Sequence, residues 1–257
     1  MRFDVITLFP ELFAPLLSHG INRRAFESGL VDVRLWQLRD FAEGNYRRVD
    51  DRPFGGGPGM VMLADPLYRC WQAIRAERNE ANPAPTVLFS PLGQHLAHPV
   101  VERYAQGAGA ILVCGRYEGI DQRFIDACVD VQLSLGDFVL SGGEIPAMAL
   151  LDAVARLQPG VLNDAGSHQQ DSFNPALDGL LDCPHYTRPE VWHGPQGEVP
   201  VPEVLLSGHH GHIDTYRRQQ RLYTTAQWRP DVLQQVRAQG GLTPQDERWL
   251  RTMPRTE

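Results

Sequence analysis

The rhythm of apolar and polar positions changes along this chain. Over the first 160 residues, short apolar runs alternate with stretches whose apolar positions recur at helical spacing. The runs predict strands at 3–8, 31–38, 86–90, 110–114 and 131–135, with a shorter piece at 138–140. Between them the helical pattern predicts helices at 10–19, 66–78, 99–106, 121–127 and 143–157. Asp65-Pro66 reads as a helix entry, with Asp65 at the N-cap and Pro66 at the first helical position. Strands alternating with helices imply an α/β fold built on a largely parallel sheet.

The pattern breaks at 158–176, where QPGVLNDAGSHQQDSFNPA is rich in Pro, Gly, Asn, Asp and Ser. Beyond it strand character is lost, and SGHHGHIDTYRRQQRLYTTAQWRPDVLQQV reads as helices interrupted at Arg229-Pro230. The expected organisation is an α/β domain over 1–160, a linker over 161–176 that a partner would order, and a small helical domain over 177–257.

Composition narrows the classes. The chain has 257 residues and 42% hydrophobic content, enough for one large or two smaller cores. No run is long enough to span a membrane, and the N-terminus lacks the features of a signal peptide. Cys70, Cys114, Cys128 and Cys183 form no C-x-x-C pair, so reduced and mostly buried thiols in a cytosolic protein are expected. The chain contains no lysine, which removes a Walker-A, Schiff-base or general-base lysine. A net charge of −7 argues against wholesale coating of nucleic acid but leaves room for a local basic face.

In open α/β sheets, ligands bind at the carboxyl ends of strands. Ser90-Pro91-Leu92-Gly93 and Cys114-Gly115-Arg116-Tyr117-Glu118-Gly119 lie at such ends, and Ser141-Gly142-Gly143-Glu144 follows a third apolar piece. None matches G-x-G-x-x-G or the P-loop. Any one of them alone is adequately explained as a tight turn or a helix cap; together they point to a shared pocket. DDRPFGGGPGM, at 50–60, is too dense in Pro and Gly for a helix or a central strand, and reads as a loop that packs over a ligand.

These residues carry a resemblance. VDDRPFGGGPGM, LVCGRYEGID, LGDFVLSGGEIPAM, QDSF and LLDCPHYTRPEV, in this order, resemble the bacterial tRNA (guanine-N1)-methyltransferase family, from ITLFPELF through LLSGHHGHI. The resemblance implies a SPOUT fold, a parallel-sheet domain with a C-terminal trefoil knot, followed by a helical tRNA-binding domain. It implies methylation of N1 of the guanine immediately 3′ of the anticodon, with S-adenosylmethionine as methyl donor held in the knot loops. Donor contacts then fall on Leu88, Ser90 and Pro91, on Gly115 and Tyr117, on Leu135, Gly136, Asp137, Phe138, Val139 and Leu140, on Gly142 and Gly143, and on Gly59. Leu88 and Leu92 stand where family members carry Tyr and Gln, so backbone contacts are expected there rather than side-chain ones.

Methylating N1 requires a base for its proton and a donor for the charge that develops on O6. By resemblance Asp171 is the base, Arg156 the group at O6, and Glu118 a residue near the substrate base. The plain structural readings are an Asx-turn, a helix-end arginine and a turn carboxylate. Some family members need Mg²⁺, but no metal cage is legible here. His209-His210-x-His212 is better read as a helix-capping loop than as a metal site. Arg217, Arg218, Arg221 and Arg229, interleaved with Tyr216, Tyr223 and Trp228, form the candidate RNA grip. The resemblance also implies a cytoplasmic homodimer whose active sites are shared between subunits. A related knotted methyltransferase acting on ribose or ribosomal RNA is the alternative. A non-catalytic RNA-binding module is disfavoured by the intact glycine loops.

Overall fold

The computed structural model describes residues 1–78, 83–162 and 168–253, and the chain divides into two compact units, Met1–Asn163 and Asp164–Glu257.

The first unit begins with β1 (Arg2–Thr7), a single 3-10 turn (Pro10–Phe13), α1 (Ala14–Ser18), α2 (Arg23–Glu27) and β2 (Asp32–Gln37). A two-residue pair, β3 (Asp50–Asp51) and β4 (Val61–Met62), brackets the glycine-rich loop. Then follow α3 (Ala64–Arg78), β5 (Thr86–His95), α4 (His98–Gln106), β6 (Gly109–Val113), α5 (Gln122–Cys128), β7 (Val131–Ser134) and α6 (Glu144–Arg156). Five strands form one parallel sheet in the order β2-β1-β6-β5-β7.

Both faces of the sheet are covered, so its strands alternate between two cores rather than between core and water. Phe3 and Val5 on β1 join Ala110 and Leu112 on β6, against α4 and α6. Ile6, Ile111 and Val113 point the other way, into the core shared with α3 and α5. Asp4 also lies on that second face and is fully buried. It is satisfied by Arg78 at 2.5 Å, Arg2 at 2.7 Å and the Trp36 indole N–H at 2.8 Å, because a buried carboxylate without partners would be costly.

Besides the short elements that the pattern did not mark, α2 and the β3–β4 pair, the structure departs from the expected elements in four places. Asp65 is inside the first turn of α3 rather than at its cap, where its charge still favours the positive helix end. The strand over Thr86 continues to His95 around an excursion at Ser90–Gly93: Phe89 and Gln94 both pair with Leu133. The expected strand at 138–140 does not form. Phe138 and Val139 are 55% and 85% exposed, in a loop that pairs with no strand among the described residues. An apolar run becomes a strand only where an edge is available to pair with it.

The second unit contains the fourth departure, a hairpin of β8 (Val191–Gly194) and β9 (Gly197–Pro200) in a region expected to be wholly helical. Pro195-Gln196 makes the turn and Gly197, at φ +106°, closes it. Four helices follow: α7 (Glu203–Leu206), α8 (His210–Trp228), α9 (Pro230–Ala238) and α10 (Pro244–Thr252). Leu180, Leu222, Val232, Leu233 and Val236 form their core. Of the expected linker, residues 163–167 lie outside the described residues. Its C-terminal part, 168–176, belongs to this unit, carrying one 3-10 turn (His168–Gln170) and most of a second (Pro175–Leu177).

Among the described residues no helix is long and apolar enough to cross a membrane. All four cysteines are free and buried. Burial, reinforced by the charge of Glu144, pushes the Cys114 thiol far above its ordinary value, so it is an inert core residue.

Candidate active site

The carboxyl ends of β5, β6 and β7 open on one cavity of 410 Å³ in the first unit. Three loops wall it: the β5 excursion with Ser90 and Pro91, the segment Gly115–Gly119, and the stretch from Leu135 to Gly143. Twelve of the fourteen expected donor-binding residues line it: Leu88, Ser90 and Pro91; Gly115 and Tyr117; Leu135, Gly136, Phe138, Val139 and Leu140; Gly142 and Gly143. Asp137 does not. Its side chain is 95% exposed and faces His95 across 3.4 Å.

Gly59 is outside the lining as well, but it adjoins it. The glycine-rich loop is stitched to the cavity wall by Glu118 N–H to the Met60 carbonyl at 3.0 Å and Met62 N–H to the Gly119 carbonyl at 2.9 Å. At φ +75°, Gly59 packs so closely on Glu118 that a Cβ would fall 2.5 Å from the Glu118 side chain. Tyr117 takes a left-handed backbone at φ +61°. Burial, then the Asp50 carboxylate beside its hydroxyl, raise its pKa, with Arg39 opposing.

Two loops cross at the floor of the cavity. Gly143 N–H donates to the Gly115 carbonyl at 2.9 Å, and Arg116 bridges Gly142 as an antiparallel pair. A Cβ on Gly143 would lie 2.7 Å from Cys114 Cα, so only glycine fits. Arg116 also lines the cavity. It was missed from the sequence, since its partner Glu144 is far along the chain and no local pattern joins them.

Of the expected catalytic residues, Glu118 is exposed on the cavity wall. Arg156, half-buried, is the last residue of α6. Asp171 belongs to the second unit, half-buried in the turn after His168–Gln170, with its carbonyl accepting from Asn174 N–H at 3.2 Å.

The four arginines of the expected RNA grip divide. Arg217 is exposed on α8. Arg218 faces inward, paired with Asp178 at 2.7 Å and with Asp246 at 2.9 Å, and hydrogen-bonded to the Gly241 carbonyl. Burial alone would raise the Asp246 carboxyl, but hydrogen bonds from Arg218 and the Thr243 capping box hold it below its ordinary value. Arg221 sits 3.5 Å from Asp182. Arg229 pairs with Asp231 and lies over the Phe173 ring. Adjacent helix positions point about 100° apart, so Arg217 and Arg218 cannot share one face. Arg218→Ala is therefore expected to destabilise the second unit by about 2 kcal/mol, by stranding Asp246. Arg217→Ala is expected to leave the melting temperature unchanged and to weaken tRNA binding; melting curves and filter binding of both variants check this.

His209 caps α8, its Nδ1 accepting from His212 N–H at 3.3 Å. Among the described residues no three His, Cys, Asp or Glu side chains gather as metal ligands.

The family model described as tRNA (guanine-1)-methyltransferase TrmD matches residues 1–235. Curated relatives named tRNA (guanine-N(1)-)-methyltransferase align over nearly the whole chain. That of Paracidovorax citrulli (strain AAC00-1) is 70% identical over 249 residues, covering 96% of each chain. That of Albidiferax ferrireducens is 68% identical, covering 97% of this chain and 98% of its own. That of Bordetella pertussis is 53% identical, covering 98% of each.

Proposed function

This chain belongs to the tRNA (guanine-1)-methyltransferase family, and from that premise we propose that it methylates N1 of the guanine immediately 3′ of the anticodon, with S-adenosylmethionine as donor. The observation that carries this reading is the cavity at the strand ends. Its 410 Å³ falls in the range of small-molecule sites, about 300–1,000 Å³. Among its described lining residues five are glycines and only Arg116 and Glu118 carry charge. Such a wall offers backbone groups and apolar surface, which suits a nucleoside better than a polyanion. The trefoil threading belongs to the same proposal, supported by the close crossing of Gly143 over Cys114 and Gly115.

When bound, S-adenosylmethionine supplies a methyl group on a sulfonium leaving group. The chain's own residues must then make the acceptor nucleophilic. In this reading Asp171 takes the N1 proton, Arg156 donates to O6 as charge builds there, and Glu118 holds the base. The target guanine must leave its stack to reach them. Among the described residues no three side chains gather as a metal cage; Mg²⁺ commonly binds through only one or two carboxylates and water.

The proposal extends to a cytoplasmic homodimer in which Asp171 of one subunit serves the donor held by the other. Leu92, Phe138, Val139 and Ile145 support it, being apolar and more than half exposed beside the cavity.

Transfer of labelled methyl to two unmodified tRNAs tests the assignment, one with guanine and one with adenine just 3′ of the anticodon. Transfer to the guanine substrate alone is expected. Equal transfer to both would overturn base methylation in favour of a ribose target.

A further inference from the structure

A buried ion pair ties the two loops that meet at the cavity floor. Glu144, the first residue of α6, is 1% exposed. Its Oε2 lies 2.9 Å from Arg116 Nε, and its Oε1 accepts from the Thr7 hydroxyl at 2.8 Å. The Thr7 oxygen in turn accepts from Phe9 N–H at 3.0 Å. The Arg116 guanidinium lies over the Phe9 ring, 4.6 Å from its centroid, and donates from Nη1 to the Ser141 carbonyl at 3.2 Å.

A cation on a cavity wall invites the reading that it touches substrate. Its surroundings argue against that. Nε lies 2.9 Å from the Glu144 carboxylate as an ion pair, Nη1 donates to Ser141, one face of the fork is covered by Phe9, and the side chain is only 20% exposed. The loops it joins are rich in glycine and have little stiffness of their own. The helix start adds positive potential beside the Glu144 side chain.

We propose that Arg116 is a positioning residue: through Glu144 and the Ser141 carbonyl it sets the spacing of the Gly115–Gly119 and Leu135–Gly143 walls, and thereby the affinity for the methyl donor. The proposal rests on the assignment of this cavity to S-adenosylmethionine. Thr7 is the far end of the clamp. It is fully buried and does not line the cavity, so any effect of Thr7 on the donor travels through its partners in the clamp, Glu144 and Phe9.

Calorimetric titration of S-adenosylmethionine into wild type, Thr7→Val, Glu144→Gln, Arg116→Met and Arg116→Lys tests it, beside steady-state kinetics with tRNA. Glu144→Gln and Arg116→Met are each expected to weaken donor binding about tenfold, and the double variant no more than the worse single one, because the pair acts as a unit. Thr7→Val is expected to weaken it about threefold by removing the hydrogen bond to the Glu144 carboxylate together with the one accepted from Phe9 N–H. Arg116→Lys should not restore affinity, since a point charge cannot serve Glu144, Ser141 and the Phe9 face together. KM for tRNA should stay within about twofold of wild type, as no substrate contact is removed. Should Arg116→Met not fold, Thr7→Val and Glu144→Gln carry the test.

Donor binding at wild-type strength in both Thr7→Val and Glu144→Gln would overturn the proposal. So would a rise in KM for tRNA at unchanged donor affinity, which would make Arg116 a substrate contact. A wild-type protein that takes up no donor would instead overturn the cavity's assignment, and this proposal with it.

Discussion

Asp171→Asn is expected to lower methyl transfer to guanine-bearing tRNA by about 10²–10⁴-fold, the span that a positioned general base contributes. Asparagine matches aspartate in size and can still accept a hydrogen bond, but it cannot take the N1 proton. The turn that presents residue 171 does not depend on the carboxylate alone. Phe173 N–H reaches the Leu180 carbonyl at 2.9 Å, and Asp182 N–H reaches the Ser172 hydroxyl at 2.9 Å. The isosteric variant should therefore keep the local fold, so that lost activity reports on chemistry. Single-turnover rates at saturating tRNA and donor, with calorimetry of donor binding, check this. The expected result is a collapsed rate with donor affinity unchanged. A rate within about threefold of wild type would place the base elsewhere, because general-base catalysis is worth far more than that.

What the sequence could disclose was set by the range of the interactions involved. The five sheet strands and the longer helices were legible because each is announced by its own periodicity. Loops at strand ends were legible as a shared site because parallel sheets bind ligands there, and the cavity does gather the β5, β6 and β7 ends. Phe138–Leu140 was misread because apolar content marks burial or ligand contact equally well; those residues wall the cavity instead of pairing. The β8–β9 hairpin was hidden by proline and glycine, which signal turns but not the pairing on either side of them. Arg218, expected in the RNA grip, and Arg116, not singled out at all, were the least legible. Each looks like a surface cation in sequence. Each is fixed by carboxylates distant along the chain, Asp178 and Asp246 for one and Glu144 for the other.

The same distinction between local sign and long-range fit separates two glycines that sequence treats alike. Gly115 and Gly143 both line the cavity. An added Cβ at Gly115 would meet Ile120 at 3.5 Å and Leu88 at 3.8 Å, ordinary contacts with side chains. At Gly143 it would meet Cys114 Cα at 2.7 Å and Gly115 N at 3.1 Å, both backbone atoms that cannot turn aside. Gly143 has φ −80°, comfortable for alanine, so backbone strain plays no part and the obstacle is space alone. Gly143→Ala must push α6 off the crossing, break the hydrogen bond to the Gly115 carbonyl and splay the cavity floor. Overpacking of this kind costs about 1–3 kcal/mol, a fall of about 3–10 °C in melting temperature for a unit of this size. Donor binding should drop beyond detection, because both walls of the site are displaced. Gly115→Ala is expected to melt within about 2 °C of wild type, since a methyl in ordinary contact displaces nothing. Thermal melts of the two variants, with donor titration of each, check the pair. Equal stability of both would mean that the chain does not cross this closely at Gly143, and the threaded arrangement proposed for the donor loops would lose its main support.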